Sequence, residues 1–283
     1  MSNMSAQAVI GQKNIGVIGA GVMGQAMIQG LLATGLVEAS RIWATAKSED
    51  SCLEITKSLS IRAATDYSTY LQETDILLIC TKPSGLQAVL KQLVAYGLPP
   101  ETLVVSILAG VTTDMIEAGL SGINPVIRAM PNTPCVVRQG MTAICAGKTA
   151  KKEHMALAQT IFESVGLCMP FEEQHFDAIT GLSGSGPAYL FLIMEALADG
   201  GVRVGLPRQK ALQIVAQTML GSATMLKESG RHPADLRDDV TTPAGCTIGA
   251  LLTMEDGKIR SVLARAVEEA ARIAGGLGDT KPR

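Results

Sequence analysis

Between residue 14 and about residue 170, short β-branched runs alternate with longer helix-periodic segments, the pattern of strand–helix–strand units around a parallel sheet. Residues 15–19 (IGVIG), 41–45 (RIWAT), 75–81 (DILLICT) and 102–107 (TLVVSI) are predicted as strands, with 126–131 (VIRAMP) and 141–145 (MTAIC) extending the sheet. Helical spacing of apolar positions predicts helices at 22–34, 50–59, 85–95, 112–119 and 151–165. Past Glu172 the strand signal fades, and helices are predicted at 174–180, 187–203, 207–229, 233–238, 243–254 and 257–275. Pro187 and Pro207 stand at or beside helix starts, where a missing N–H is tolerated. The expected fold is α/β: an N-terminal doubly wound, Rossmann-like parallel sheet over residues 14–172, then an all-helical C-terminal dimerisation domain over 173–283. Residues 1–13 are expected as a disordered arm, and the tail GGLGDTKPR at 275–283 as a fraying end.

Composition narrows what such a chain can do. At 283 residues it has room for about two domains. Its 24 Lys and Arg against 26 Asp and Glu leave a formal charge of −2, so no basic field exists to hold nucleic acid or anionic lipid. With 47% apolar and 18% charged residues, disorder is excluded and apolar surface remains for a subunit interface. Tyr189, Leu190, Ile193, Met194 and Leu197 spread over more than one face of helix 187–203, which predicts burial, within one chain or, favoured at this size, between two. Six cysteines without a C-x-x-C pair and only three histidines predict a reduced, cytoplasmic protein with no metal. The start of the chain lacks the features of a signal peptide. The apolar stretch 188–194 is broken by Glu195 and Asp199 well short of the ~20 residues a bilayer requires, so no membrane partner is expected.

Gly19-Ala20-Gly21-Val22-Met23-Gly24 fits G-x-G-x-x-G directly after a predicted strand and at the start of a predicted helix. Gly19 permits the tight turn, Gly21 lets the backbone approach a pyrophosphate, and Gly24 allows close helix–strand packing. The helix N-terminus offers free N–H groups to the anion. An NAD enzyme carries Asp or Glu about 20 residues further on, at the end of the second strand. Ala44-Thr45-Ala46-Lys47-Ser48 stand there instead. No carboxylate repels a 2′-phosphate, and Lys47 and Ser48 can bind one, so NADPH is favoured over NADH; the plainer reading has Lys47 merely solvated. Cys80-Thr81-Lys82-Pro83 and Ile107-Leu108-Ala109-Gly110 end two strands at the carboxyl edge where a dinucleotide lies. Lys82 could serve catalysis, although Pro83 behind it points to a rigid turn. Asn132, in the turn MPNTP at 130–134, either donates to the cofactor or caps the turn. Residues 181–185 (GLSGS) fail the last glycine of a serine-hydrolase elbow, and no strand precedes them. In Asp239-Val240-Thr241-Thr242-Pro243-Ala244-Gly245-Cys246-Thr247, Thr242 as N-cap and Pro243 in the first turn would leave N–H groups free for a substrate carboxylate, or the segment is a capped helix and nothing more.

Together these motifs resemble pyrroline-5-carboxylate reductase. The likeness runs over nearly the whole chain, through VIGAGVMG, TKP, LAGVT, RAMPNTP, ITGLSGSGPAYLF, ALADGGVRVGLP and DDVTTPAGCTIGAL, the last similar to the family's own signature. The resemblance implies an NAD(P)-binding domain, a helical domain that dimerises by helix exchange, dimers assembled into rings such as decamers, and a site at the subunit boundary. It implies that Ile18 to Met23, Cys80 to Pro83 and Ile107 to Ala109 touch the cofactor, with Ala46 and Ser48 near the 2′-phosphate. Glu173, Gly245, Cys246 and Thr247 would surround the substrate, Thr247 hydrogen-bonding the ring nitrogen, with Asp239 near the nicotinamide. The chain departs from common family forms at Tyr67, where Asn or Ser is usual at a cofactor loop, at Ala244 in place of a second glycine, and at Asp239, often Asn.

The reaction so implied is hydride transfer from NADPH to the C=N carbon of 1-pyrroline-5-carboxylate, giving L-proline. It suits a chain poor in histidines, because an iminium is already electrophilic and the protein mainly has to align two ligands. A 3-hydroxyacid dehydrogenase shares the fingerprint but needs a general acid, and its candidate Lys210 sits close to a helix start. A non-catalytic NADPH-binding scaffold is the third reading, disfavoured by the intact 239–247 segment.

Overall fold

The structure, a computed structural model, describes residues 3–277. The chain divides into two compact units, Met1–Ser185 together with Glu269–Arg283, and Gly186–Glu268.

The first unit is built on strands β1 (Ile15–Ile18), β2 (Ile42–Thr45), β3 (Arg62–Ala64), β4 (Ile76–Ile79), β5 (Leu103–Ser106), β6 (Val126–Met130), β7 (Gly140–Ala146) and β8 (Gly166–Pro170). They form one sheet in the order β3-β2-β1-β4-β5-β6-β7-β8. The first six strands run parallel, in the order of a dinucleotide-binding sheet whose switch point lies between β1 and β4. The expectation of a parallel sheet needs correction at β7, which pairs antiparallel to β6. Only the turn at 133–137 and a few flanking residues join these two strands, too short a link for the crossover that parallel strands require. β8 then runs parallel to β7, with helix 152–163 between them.

Both faces of the sheet are covered, and alternate residues serve opposite cores. Ile15, Val17, Ile42, Ala44, Ile76, Leu78, Leu103, Val105, Ile127 and Ala129 enter one apolar cluster. Ile18, Trp43, Leu77, Ile79, Val104 and Val126 enter the other. Gly16 leaves the space that Trp43 fills, since a Cβ there would stand 2.2 Å from the indole ring. The covering helices are α1 (Asn3–Ile10), α2 (Val22–Ala33), α3 (Glu49–Leu59), α4 (Ser68–Leu71), α5 (Leu86–Ala95), α6 (Thr113–Gly119) and α7 (Lys152–Glu163). After β8 follow α8 (Phe176–Ile179) and a π-helical turn, Thr180–Gly184.

Where a disordered arm was expected over 1–13, residues 3–10 form the helix α1, and residues 1–2 lie outside the described residues. Ala6 and Ile10, one turn apart, are buried, and the helix packs on α7, so its apolar side joins the core. The fraying expected at the extreme end concerns residues 278–283, which lie outside the described residues.

The second unit holds α9 (Gly186–Arg203), α10 (Arg208–Ser229), α11 (Pro233–Asp239), α12 (Cys246–Asp256) and the first part of α13 (Ile259–Gly275). α9 and α10 approach closely at small residues: a Cβ on Gly201 would stand 3.1 Å from that of Ala211. In one chain, Leu190, Phe191, Leu192, Leu197, Ile214 and Leu220 remain exposed. So large an uncovered apolar surface marks a protein–protein contact.

Candidate functional site

β1 runs straight into the glycine fingerprint. Gly19 takes φ +96°, a conformation that side-chain-bearing residues rarely adopt, and its N–H donates to Thr45 Oγ1 at 3.0 Å. A Cβ on Gly24 would stand 2.4 Å from Gly19 O, so this glycine is what lets α2 lie against the turn. Gly21 is different: it caps α2 at φ −77°, ψ −163°, and a Cβ there would meet nothing within 4 Å. The chain itself has no need of a glycine at that position. A ligand that must touch the backbone does.

The space in front of Gly21 is a cleft of about 1060 Å³. Its walls are the Gly19–Gly21 turn, Thr45, Ala46 and Lys47 after β2, one face of α3, and Cys80, Thr81 and Lys82 after β4. Lys47, Lys57 and Lys82 border it against a single carboxylate, Glu54, so its charge suits an anion. Ser48 caps α3 by accepting from Ser51 N at 3.3 Å, which turns that helix N-terminus toward the end of β2. Burial pushes the Cys80 thiol up to about 12.

Of the residues expected at the cofactor, Gly19, Ala20, Gly21, Ala46, Lys47, Cys80, Thr81 and Lys82 thus share one cleft. Ile18 is buried at the end of β1, Val22 and Met23 form the first turn of α2, and Pro83 opens the 3₁₀ turn 83–85. Ile107 is half-buried after β5, its N–H bonded to Ile79 O at 3.1 Å; Leu108 is buried and Ala109 half-buried beside it. Tyr67 does not border the cleft. Its ring stacks on Trp43 at 5.9 Å, its hydroxyl donates to Gln92 Oε1 at 3.0 Å, and burial raises its pKa to about 12. Asn132 ties segments of its own unit together, donating to Ser183 O at 3.2 Å and accepting from Met141 N at 2.9 Å, and its side chain makes no cap to the turn 133–137.

Glu173 also has its partners within the first unit. Its carboxylate accepts from Thr113 N (2.8 Å), Thr113 Oγ1 (2.7 Å) and Arg128 Nη1 (3.1 Å). Arg128, with a side chain only 4% exposed, also lies over the Phe176 ring at 4.6 Å. This clasp holds the start of α6, which follows the loop 107–112. Thr113, Arg128 and Phe176 were not singled out by the motifs, though an arginine inside the apolar run VIRAMP was a signal for a buried partner. The nearby Cys145 thiol is pushed up to about 12 by burial first and by the Glu173 charge second.

In the second unit the start of the last motif helix needs correction. α12 begins at Cys246 with Gly245 as its N-cap, not at Pro243 with Thr242 as cap. Residues 242–245 close a turn first, Gly245 N donating to Thr242 O at 3.1 Å, with Ala244 at φ +57°. A Cβ on Gly245 would stand 2.4 Å from Thr242 Oγ1 and 3.1 Å from Thr242 O, so a side chain there would displace Thr242. Among the described residues no side chain caps α12, which leaves its first N–H groups facing outward. Thr247 is half-buried in the first turn and Cys246 is exposed. Asp239 accepts from Arg231 Nη1 at 2.6 Å, and that hydrogen bond holds its carboxyl below the usual range. Lys210 lies exposed near the start of α10.

Residues 173–277 match the family model for pyrroline-5-carboxylate reductase dimerisation, and residues 14–110 match that for coenzyme F420-dependent NADP oxidoreductase. The chain is 41% identical over 266 residues to pyrroline-5-carboxylate reductase of Methanosarcina acetivorans, covering 94% of this chain and 98% of that one. It is 40% identical to the Synechocystis enzyme of the same name, covering 93% and 98%. Among solved structures, that of Coxiella burnetii pyrroline-5-carboxylate reductase matches with TM-score 0.87 at 35% identity, covering 95% of this chain and 99% of that one. The Plasmodium falciparum pyrroline carboxylate reductase with NADP bound matches with TM-score 0.86 at 27% identity, covering 95% and 100%.

Proposed function

The chain belongs to the pyrroline-5-carboxylate reductase family, and on that premise we propose that it reduces 1-pyrroline-5-carboxylate to L-proline with NADPH. The observation that carries the reading is the cleft: a glycine that the chain does not need stands open to it, lysines border it, and β2 ends without a carboxylate. These residues fit a phosphate-rich dinucleotide. The first N–H groups of α2 at Val22 and Met23 take the pyrophosphate, and Lys47 with Ser48 takes the 2′-phosphate. NADPH, when bound, supplies the hydride for the carbon of the C=N bond.

The chain's own part is binding and alignment. The uncapped start of α12, at Cys246 and Thr247 behind Gly245, holds the substrate carboxylate, with Thr242 shaping the turn. Thr247 Oγ1 hydrogen-bonds the ring nitrogen, which gains a proton as its π bond is lost. Glu173 fixes the start of α6, directly after the loop 107–112 expected at the cofactor. We assign cofactor binding to residues 14–172, and substrate binding and dimerisation to 173–283. The dimerisation domain makes the chain a homo-oligomer, and the uncovered apolar side chains of α9 and α10 agree with that. Assembly of dimers into a ring such as a decamer, and residence in the reducing cytoplasm with its six cysteines free, complete the proposal.

Initial rates with the imine test this reading. kcat/KM is expected to be higher with NADPH than with NADH. A value for NADH at least equal to that for NADPH refutes the preference, and no turnover with either refutes the reaction.

A further inference from the structure

The loop 107–112 between β5 and α6 is held at both ends. At its start, Ile107 N–H donates to Ile79 O at 3.1 Å and Leu108 N–H to the buried Ser106 Oγ at 3.3 Å. At its end stands Thr113, which is buried and gives both of its donors to one carboxylate: its N–H to Glu173 Oε1 at 2.8 Å and its hydroxyl to Glu173 Oε2 at 2.7 Å. That N–H belongs to the first turn of α6, where no intrahelical acceptor exists, so Glu173 satisfies it from 60 residues away. The carboxylate is itself fixed by Arg128 at 3.1 Å, and Arg128 is packed on the Phe176 ring. Moving Glu173 away would leave that buried guanidinium unpaired. Between the two anchors the backbone bends at Gly110, φ +73°.

We propose that Thr113 is a positioning residue for hydride transfer: gripped by Glu173, it fixes the loop 107–112 beside the nicotinamide half of the dinucleotide. This rests on the NADPH reading given above. In the sheet order, β2 and β5 stand on opposite sides of the switch point between β1 and β4. A dinucleotide whose 2′-phosphate lies at the end of β2 therefore extends its nicotinamide toward the end of β5. Its pyrophosphate and 2′-phosphate are gripped away from this loop, at Gly19–Gly24 and at Lys47 and Ser48, so a loosened loop costs alignment and not affinity. Alignment is what a transfer between two bound ligands depends on: a displacement of about 1 Å can lower the rate roughly 100-fold.

Thr113→Val, which removes the hydroxyl donor and keeps the N–H, tests this in the full chain. Amide hydrogen exchange of the ligand-free protein is expected to quicken about 10-fold over residues 107–113. The single-turnover rate of NADPH oxidation at saturating imine is expected to fall about 5–20-fold, with the NADPH Kd and the imine KM within about twofold of wild type. Thr113→Ser restores the donor and is expected to return both rate and exchange to within about twofold. Thr102→Val is the control for stability alone: it removes a buried hydrogen bond to Thr74 O (2.8 Å) at the opposite end of β5. It is expected to lower Tm by about 2–6 °C, as Thr113→Val does, and to leave the rate unchanged. An unchanged rate in Thr113→Val overturns the inference, as does a lowered rate without faster exchange in the loop. A Thr113→Ser variant as slow as Thr113→Val, a Thr102→Val variant equally slow, or an NADPH Kd or imine KM that weakens as much as the rate falls also overturns it. Wild-type protein without imine-dependent NADPH oxidation overturns the reaction reading and this inference with it, whereas the other adverse results leave that reading standing.

Discussion

Substituting Gly21 by alanine separates what the fold needs from what the ligand needs. The backbone there sits at φ −77°, ψ −163°, which alanine adopts without strain, and the added methyl would meet nothing within 4 Å. The ligand-free protein is therefore expected to keep its stability within about 1 kcal/mol, since alanine's smaller freedom in the unfolded chain is offset by its poorer fit at a helix N-cap. For the cofactor the same methyl stands between a helix N-terminus and a pyrophosphate. Loss of one hydrogen bond to a charged group costs about 1.5–3 kcal/mol, or roughly 10–150-fold in Kd. Titration of NADPH fluorescence reads the affinity, and thermal unfolding without ligand reads the fold. Gly24→Ala is the contrast. Its methyl would fall 2.4 Å from Gly19 O, so the turn must move and both readings should fall together. If Gly21→Ala binds NADPH within about twofold of wild type, the pyrophosphate does not lie on this turn and the account of the cleft is wrong.

Thr247→Ala is expected to lower kcat/KM for the imine about 10–100-fold with NADPH affinity and folding preserved, and steady-state kinetics beside a binding titration check this. Glu173→Ala leaves the buried Arg128 without its carboxylate and Thr113 N–H without its acceptor. Because the Glu173 side chain is 31% exposed, the expected cost is discounted to about 2–3 kcal/mol, read as a Tm lower by about 5–10 °C. His154 Nδ1 accepts the Lys151 N–H at 3.0 Å at the start of α7, which requires the neutral ring, and burial lowers its pKa from 6.5. The unfolded chain binds that proton first, so stability is expected to fall as the pH drops from 6.5 through the lower folded pKa, and denaturation of His154→Gln should lack that component.

The parts of the site that the sequence revealed are those in which chemistry and local pattern coincide. Gly19, Gly21 and Gly24 could be assigned three different duties because a fingerprint between a strand and a helix leaves each little choice. β3 and β8 escaped the reading for a local reason: Arg62–Ala64 spans only three residues, and GLCMP carries a glycine at one end and a proline at the other. No alternation in MTAIC reveals that β7 runs antiparallel, since direction is set by the connection and not by the strand. The N-terminal segment lacks a long apolar run of its own, yet Ala6 and Ile10 are buried in a core built by residues far along the chain. Thr242 followed by Pro243 is a good helix start by local rules, and the turn closed by Gly245 overrode it. The Glu173 clasp joins positions 45 and 60 residues apart, a separation at which local spacing carries no signal.

The most direct test of the account is the initial rate of NADPH oxidation by the purified protein with 1-pyrroline-5-carboxylate, with proline quantified in the same reaction. The account predicts absorbance loss that depends on the imine, with one proline formed per NADPH consumed. NADPH binding without imine-dependent oxidation, or oxidation that yields no proline, contradicts it.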